Sequence, residues 1–187
     1  FSCQWKKGID KQKTTTWLLD AVQRLKQAGA DFALIASNTP HIVFDRLAQQ
    51  APIPLISIVE ETAREALQRG LKKLGLLGTH VTMTSDFYQK SFAAHSMEVI
   101  VPLPGEQDFI HEKLTTEIMF NKIIDTTRDA LLDIVKRMID QESIDSIILG
   151  CTELPLILNQ DAFGIPFLNT TLIHTESAVQ YCLAHNR

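Results

Sequence analysis

The sequence predicts an α/β fold of two pseudo-symmetric lobes, each with a parallel sheet flanked by helices, and a site in the cleft between them. Three observations lead there. Two segments repeat one another: ADFALIASNTPH (30–41) lies over IDSIILGCTELP (144–155), with Asp31 and Asp145 each six residues before Ser37 and Cys151. The echo continues into PIPLISI (52–58) and GIPFLNT (164–170), where Ile53-Pro54 follows Ser37 by sixteen residues and Ile165-Pro166 follows Cys151 by fourteen. A helical period precedes each matched strand, and strands alternating with helices of this length point to parallel sheets covered on both faces.

The elements follow in order. TTTWLLDAVQRLKQAGAD (14–31) sets Leu18, Ala21, Val22 and Leu25 at helical spacing between a Thr-rich start and Gly29 at the stop. A strand ends in the polar turn Ser37-Asn38-Thr39, and a short connection leads to the strand after Pro54. KKLGLLGTHVTMTSDFY (72–88) opens with an apolar strand ending at Gly78-Thr79. DTTRDALLDIVKRMIDQESID (125–145) repeats the helix with Leu131, Ile134, Val135 and Met138, and leads into a strand from Ser146 to Leu149. Gly150 closes that strand, and Cys151, Thr152 and Glu153 occupy the turn. This division assigns 1–71 plus 166–187 to the first lobe and 72–165 to the second. If the repeats are of equal length, a strand like that before Gly78 is expected about 39 residues before Phe1, so the chain reads as part of a longer protein.

Composition narrows the function. The 187 residues are 45% hydrophobic and 21% charged, enough for one substantial core or two small ones. A net charge of −4 without any Lys/Arg run argues against nucleic acid or an anionic membrane and for a small ligand. No apolar run approaches the roughly 20 residues of a spanning helix. Cys3, Cys151 and Cys182 are odd in number and far apart, without C-x-x-C or His pairs at metal spacing. That pattern fits a reducing cytoplasm and no metal, and FIHEKL lacks the H-E-x-x-H spacing.

In open parallel sheets ligands bind beyond the carboxyl ends of strands. Ser37 and Cys151 therefore face each other, and a substrate between them could lose a proton on one face of a carbon and regain one on the other. A polarisable thiolate, deprotonated near neutrality among amide donors, suits that work without a cofactor. Asn38, Thr39 and Thr152 offer donors at helix starts for a carboxylate, although capping alone also explains them. Glu153 either orients the thiol, receives an ammonium group or is a solvated first-turn acid. Thr79 and Thr82 repeat the strand-end pattern. His41, His174 and Glu176 are assigned to packing or the surface.

At these residues the chain resembles the aspartate/glutamate racemase family, cofactor-independent racemases with one cysteine from each of two pseudo-symmetric lobes. The resemblance rests on AGADF, Ser37-Asn38-Thr39-Pro40-His41, Leu76 to Tyr88, Gly150 to Glu153, and Thr170 to Val179. It implies an isomerase for aspartate or glutamate in which Cys151 acts on the L-enantiomer. Lys122 would reach the distal carboxylate, where a solvated lysine is the plain alternative. Ser37 stands where the family has its first cysteine, so that face would work through a hydroxyl or water held by it. A homodimer is compatible with the reading. Two alternatives remain at this stage: a single-cysteine decarboxylase of the same superfamily, of arylmalonate type, and a catalytically silent amino-acid-binding module.

Overall fold

The computed structural model describes residues 9–185; Cys3 and the outer ends of the first-lobe segments lie outside them. Helix α1, Lys11–Gln27, starts where the Asp10 side chain accepts the Lys13 amide at 3.0 Å, earlier than its apolar period alone indicates. It ends before Gly29, whose φ of +91° turns the chain out of the helix. Strand β1, Ala33–Leu34, then pairs in parallel with β2, Leu55–Ile56. Between them lie a 3₁₀ turn, Thr39–Val43, and the short helix α2, Phe44–Ala48.

Helix α3, Ile58–Gln68, leads to β3, Lys73–Gly78. After β3 come α4, His80–Thr84, α5, Phe87–Ala93, and β4, Glu98–Ile100. Helices α6, Pro104–Thr116, and α7, Asp125–Glu142, precede β5, Ser146–Gly150. Strand β6, Phe167–Asn169, and α8, Thr170–His185, close the fold. The second sheet has the order β4-β3-β5-β6 and is parallel throughout.

The sequence repeat is a repeat of hydrogen bonding. The Ala33 amide donates to the Pro54 carbonyl at 3.0 Å, and the Ile147 amide donates to the Pro166 carbonyl at 3.0 Å. Ala33 pairs with Leu55 as Ile147 pairs with Phe167, the register that the matched Ile-Pro pairs require.

Alternation along the strands divides the larger sheet's two faces. Leu77, Ile147 and Leu149 join α6 and α7 residues Ile110, Leu114, Leu131 and Val135 in one core. Leu74, Leu76 and Ile148 join Ile58, Ala63 and Ala66 of α3, Phe92 of α5 and Ile173 of α8 in the other. The small sheet has its own modest core, with Leu18, Val43 and Leu47 in one cluster and Val22, Ala33 and Ile53 in another. The sequence-based boundaries at 71/72 and 165/166 thus separate packing partners: α3 covers the larger sheet, and β6 pairs within it.

Strand β4 and helix α6 fall where the sequence reading assigns no element. A three-residue strand carries almost no periodic signal, and α6 buries the polar Gln107 beside Ile110 and Leu114. Its start is locally encoded all the same, with Pro104 in the first turn and the Glu106 carboxylate accepting the Leu103 amide at 2.8 Å.

Two buried histidines tie the small sheet's turn to its neighbours, in keeping with the packing role the sequence suggests. His41 donates through Nδ1 to the Ser37 carbonyl at 2.9 Å and accepts the Ile58 amide at Nε2 at 3.2 Å. With one nitrogen donating and the other accepting, the ring is neutral. Burial pushes its pKa down to about 3. His174 bonds the Ile56 carbonyl at 2.9 Å and is lowered in the same way. Because the folded pKa lies below the unfolded value of about 6.5, this stability is present above pH 6.5 and is lost as pH falls toward the folded value. We expect His41→Gln to flatten the pH dependence of unfolding between pH 4 and 6 by about 1.4 kcal/mol per pH unit, one proton's worth. Urea unfolding at several pH values measures it, and an unchanged slope would show that His41 titrates normally in the fold.

Candidate active site

Parallel strands bring their carboxyl ends to one edge, and the site residues lie there. At the centre of the larger sheet Gly78 of β3 pairs with Gly150 of β5. A Cβ on Gly150 would come within 2.8 Å of the Leu77 carbonyl oxygen, and one on Gly78 within 2.9 Å of the Gly150 carbonyl oxygen. Only glycine lets the two backbones approach this closely, and the residues that follow, Thr79 and Cys151, emerge beside each other as a result.

Thr39, Thr79 and Thr82 form a closed hydroxyl cluster across the two sheets. Thr39 Oγ1 lies 2.9 Å from Thr79 Oγ1 and 3.1 Å from Thr82 Oγ1, and the last two are 3.0 Å apart. Thr79 also caps α4, accepting the Thr82 amide at 3.3 Å. Capping and site-building are therefore compatible at this position.

Cys151 is 5% exposed, and its thiol donates to Glu153 Oε2 at 3.0 Å. Thr152 Oγ1 donates to the same oxygen at 2.8 Å. Burial first, and the adjacent Glu153 carboxylate second, push the thiol well above its usual range; backbone amides of Glu153 and Thr152 pull the other way but do not prevail. This corrects the expectation of a thiol deprotonated near neutrality. The amide donors are in place, but desolvation and a neighbouring negative charge outweigh them, so the resting group is a thiol.

Ser37 is half-buried at the end of the β1 segment. Its amide donates to the Ile35 carbonyl at 2.7 Å and its carbonyl receives His41, while no hydrogen bond from its hydroxyl joins the described residues. Asn38 is 2% exposed and does not cap the following turn. Its side chain crosses to the larger sheet instead, donating to Thr170 Oγ1 at 3.2 Å and accepting from the Tyr88 hydroxyl at 2.5 Å. Tyr88 and Thr170 lie in motifs visible in the sequence, but no local signal marks them as partners of a residue 50 and 132 positions away.

Lys122 stands apart from these groups. It is exposed on the connection to α7, its amide donates to the Glu117 carbonyl at 3.1 Å, and its charge helps hold the Glu117 carboxyl below the usual range behind the larger effects of Lys113 and Thr127. Among the described residues no side-chain hydrogen bond joins it to the strand-end cluster. Leu34, Ala36, Ile58, Thr152 and His174 line a cavity of about 60 Å³ reaching both strand ends, room for a few waters. Among the described residues no group of three or more His, Cys, Asp or Glu side chains could hold a metal ion, and no helix is long and apolar enough to cross a membrane.

A parallel α/β fold whose strand ends gather a thiol, a carboxylate and a hydroxyl cluster is the frame of an amino-acid racemase. The chain belongs to the Asp/Glu/hydantoin racemase family, whose model matches residues 6–178. It is 29% identical over 177 residues to the broad-specificity amino-acid racemase RacX of Bacillus subtilis (strain 168), covering 95% of this chain and 76% of that one. A glutamate racemase from Hydrogenobaculum sp. (strain Y04AAS1) is 26% identical over 176 residues, 92% of this chain and 64% of the relative. The crystal structure of an aspartate racemase homologue from Pyrococcus horikoshii OT3 superposes with a TM-score of 0.82 at 32% identity, covering 90% of this chain and 74% of that one.

The contest over the thiol proton is measurable. In the ligand-free protein, alkylation of Cys151 should rise only well above pH 8.5, about where an ordinary thiol titrates. Glu153→Gln removes the like charge and should move that midpoint down, while burial still holds it above the ordinary value. Mass spectrometry of the Cys151 peptide across pH checks this, and an unmoved midpoint would leave desolvation as the sole cause.

Proposed function

We propose that the chain racemises an acidic amino acid, aspartate or glutamate, without a cofactor, by removing the α-proton on one face and returning a proton on the other. The observation that carries this reading is the Cys151–Glu153 pair, a thiol hydrogen-bonded to a carboxylate at a strand end beside the hydroxyl cluster. Family membership supports the reaction class, and the names of the relatives above support the substrate class.

As the substrate ammonium pairs with Glu153 and offsets its charge, the penalty that the carboxylate places on the thiolate falls, and the thiol releases its proton to water. The thiolate takes the α-proton of the L-enantiomer, and the electron pair passes into the substrate carboxylate. Thr39, Thr79, Thr82 and the amides at Asn38 and Thr152 hydrogen-bond that carboxylate and share the developing charge. The Ser37 hydroxyl, or a water it holds, delivers a proton to the opposite face and is reprotonated from solvent. Lys122 pairs with the distal carboxylate once the connection carrying it closes over the substrate. A free buried thiol of this kind suits a reducing cytoplasm.

One observation favours a second reading. A thiol held protonated at rest is suited to delivering a proton to a carbanion formed by decarboxylation, which needs a thiol on one face only. Release of carbon dioxide from a substituted malonate, without α-proton exchange of amino acids, would select it. Binding of aspartate or glutamate with neither reaction would select a silent binding module.

Three measurements test the proposal. In deuterated water, L-aspartate or L-glutamate should exchange its α-hydrogen much faster than the D-enantiomer, since only one face carries a thiol, and Ser37→Cys should raise D-side exchange. Equal exchange of both enantiomers by the Ser37 protein would refute these roles. Cys151→Ala should lower exchange by about 10²–10⁴-fold, the usual contribution of a positioned acid or base, and activity surviving in a folded variant would remove the thiol. Lys122→Ala should weaken binding of the dicarboxylates by about 10–100-fold and leave alanine unaffected, since a charge-assisted contact exists only for the former; equal losses for all three would make Lys122 structural.

A further inference from the structure

The buried hydrogen-bond chain behind the site has a fixed direction. The Thr170 hydroxyl donates to the Leu149 carbonyl at 2.8 Å, and a carbonyl can only accept. With its single proton committed, Thr170 Oγ1 must accept from Asn38, 3.2 Å away, so the amide nitrogen of Asn38 faces Thr170. The amide oxygen therefore faces Tyr88, whose hydroxyl donates to it at 2.5 Å. Tyr88, Asn38 and Thr170 are all essentially buried, and no solvent can substitute for a missing partner. The chain joins three places that the backbone leaves far apart: α5, the turn immediately after Ser37, and β5 two residues before Cys151.

Resting on the racemase reading above, we propose that Tyr88 is a positioning residue: by fixing the amide of Asn38 between its own hydroxyl and Thr170, it sets the separation of Ser37 from Cys151 across the cleft. Neither sheet pairs with the other, so no backbone ladder sets this distance. The threonine cluster also bridges the sheets, but hydroxyls that bond mainly to each other must rearrange when a carboxylate enters. The Tyr88–Asn38–Thr170 chain ends on a strand carbonyl and can persist through the reaction. Burial raises the Tyr88 hydroxyl's pKa, so it stays protonated and donates to Asn38. Removing the hydroxyl would leave the Asn38 oxygen buried without a donor and free the amide to turn.

The consequence separates positioning from general support. Abstraction from the L-enantiomer takes place on the Cys151 face, whereas inversion also needs the Ser37 face at the right distance from it. In Tyr88→Phe we expect α-deuterium exchange of L-aspartate or L-glutamate to stay within about threefold of native, and inversion to the D-enantiomer to fall by about 10–100-fold, the cost of a displacement on the ångström scale. Thr170→Val should behave alike, and Thr170→Ser, which keeps the hydroxyl, should restore inversion. Circular dichroism and thermal unfolding establish that each variant is folded; if Tyr88→Phe does not fold, the two Thr170 variants carry the test. Exchange and inversion falling in equal proportion, or neither changing, would overturn the proposal. A native protein that performs neither reaction would overturn the racemase reading instead. The geometry is then tested separately by ¹⁵N spectroscopy of the Asn38 side-chain amide, whose hydrogen exchange Tyr88→Phe should accelerate at least about tenfold if the hydroxyl holds it in place; an unchanged rate would overturn the positioning role.

Discussion

The close approach of β3 and β5 at Gly78 and Gly150 is the constraint on which the rest of the site depends. Their pairing ends the central ladder of the larger sheet, and a side chain on either would meet main-chain oxygen as well as the side chains of Leu76 or Thr82. With the strand ends that close, Thr79 can cap α4 and still reach Thr39, and the turn after Gly150 can fold its carboxylate back onto its own thiol. A side chain at Gly150 would force the two strands apart just before Thr79 and Cys151. The glycines thus shape the candidate site through backbone spacing.

Much of this was legible in the sequence because a repeat constrains register as well as element type. Matching Ile53-Pro54 to Ile165-Pro166 fixes which residues face each other, and the two proline carbonyls accept equivalent amides, those of Ala33 and Ile147. Ser37, Asn38, Thr39, Cys151, Thr152 and Glu153 followed from the same match, since parallel strands place their carboxyl ends together whatever the loops do. Local signals failed where the structure is set by distant partners. Helix α6 buries a glutamine whose amide reaches the Pro102 carbonyl at 2.7 Å, and a polar residue on the inward face blurs the helical period. Asn38 reads in the sequence as a carboxylate donor or a cap; its side chain instead bonds residues on α5 and at the start of α8.

The protonation of Cys151 was hidden for a different reason. The sequence shows the amide donors of a strand-end turn, which favour a thiolate, but not the depth of burial or which way the carboxylate of Glu153 points. Both oppose the thiolate. A chain in which Glu153 turned outward to solvent would have the same sequence and a more acidic thiol.

In the proposed reaction that opposition has a physical use. A thiolate exposed in a ligand-free site is open to oxidation and alkylation, and its charge would repel the substrate's carboxylates. A thiol that shares its proton with Glu153 presents a single negative charge, located on the carboxylate that would meet the substrate ammonium. In the proposed reaction, binding offsets that charge and so lowers the barrier to losing the thiol proton to water, and the base forms only when there is something to deprotonate. The opposite face works under different rules. Among the described residues no carboxylate is hydrogen-bonded to the Ser37 hydroxyl, and its backbone is held by a histidine whose ring is locked neutral. Such an environment can hold a hydroxyl or a water in place but does nothing to ionise it. In the proposed reaction the two faces therefore differ in their surroundings as well as in the reacting atom, and placing sulfur at position 37 would supply a thiol there without the carboxylate that controls its counterpart.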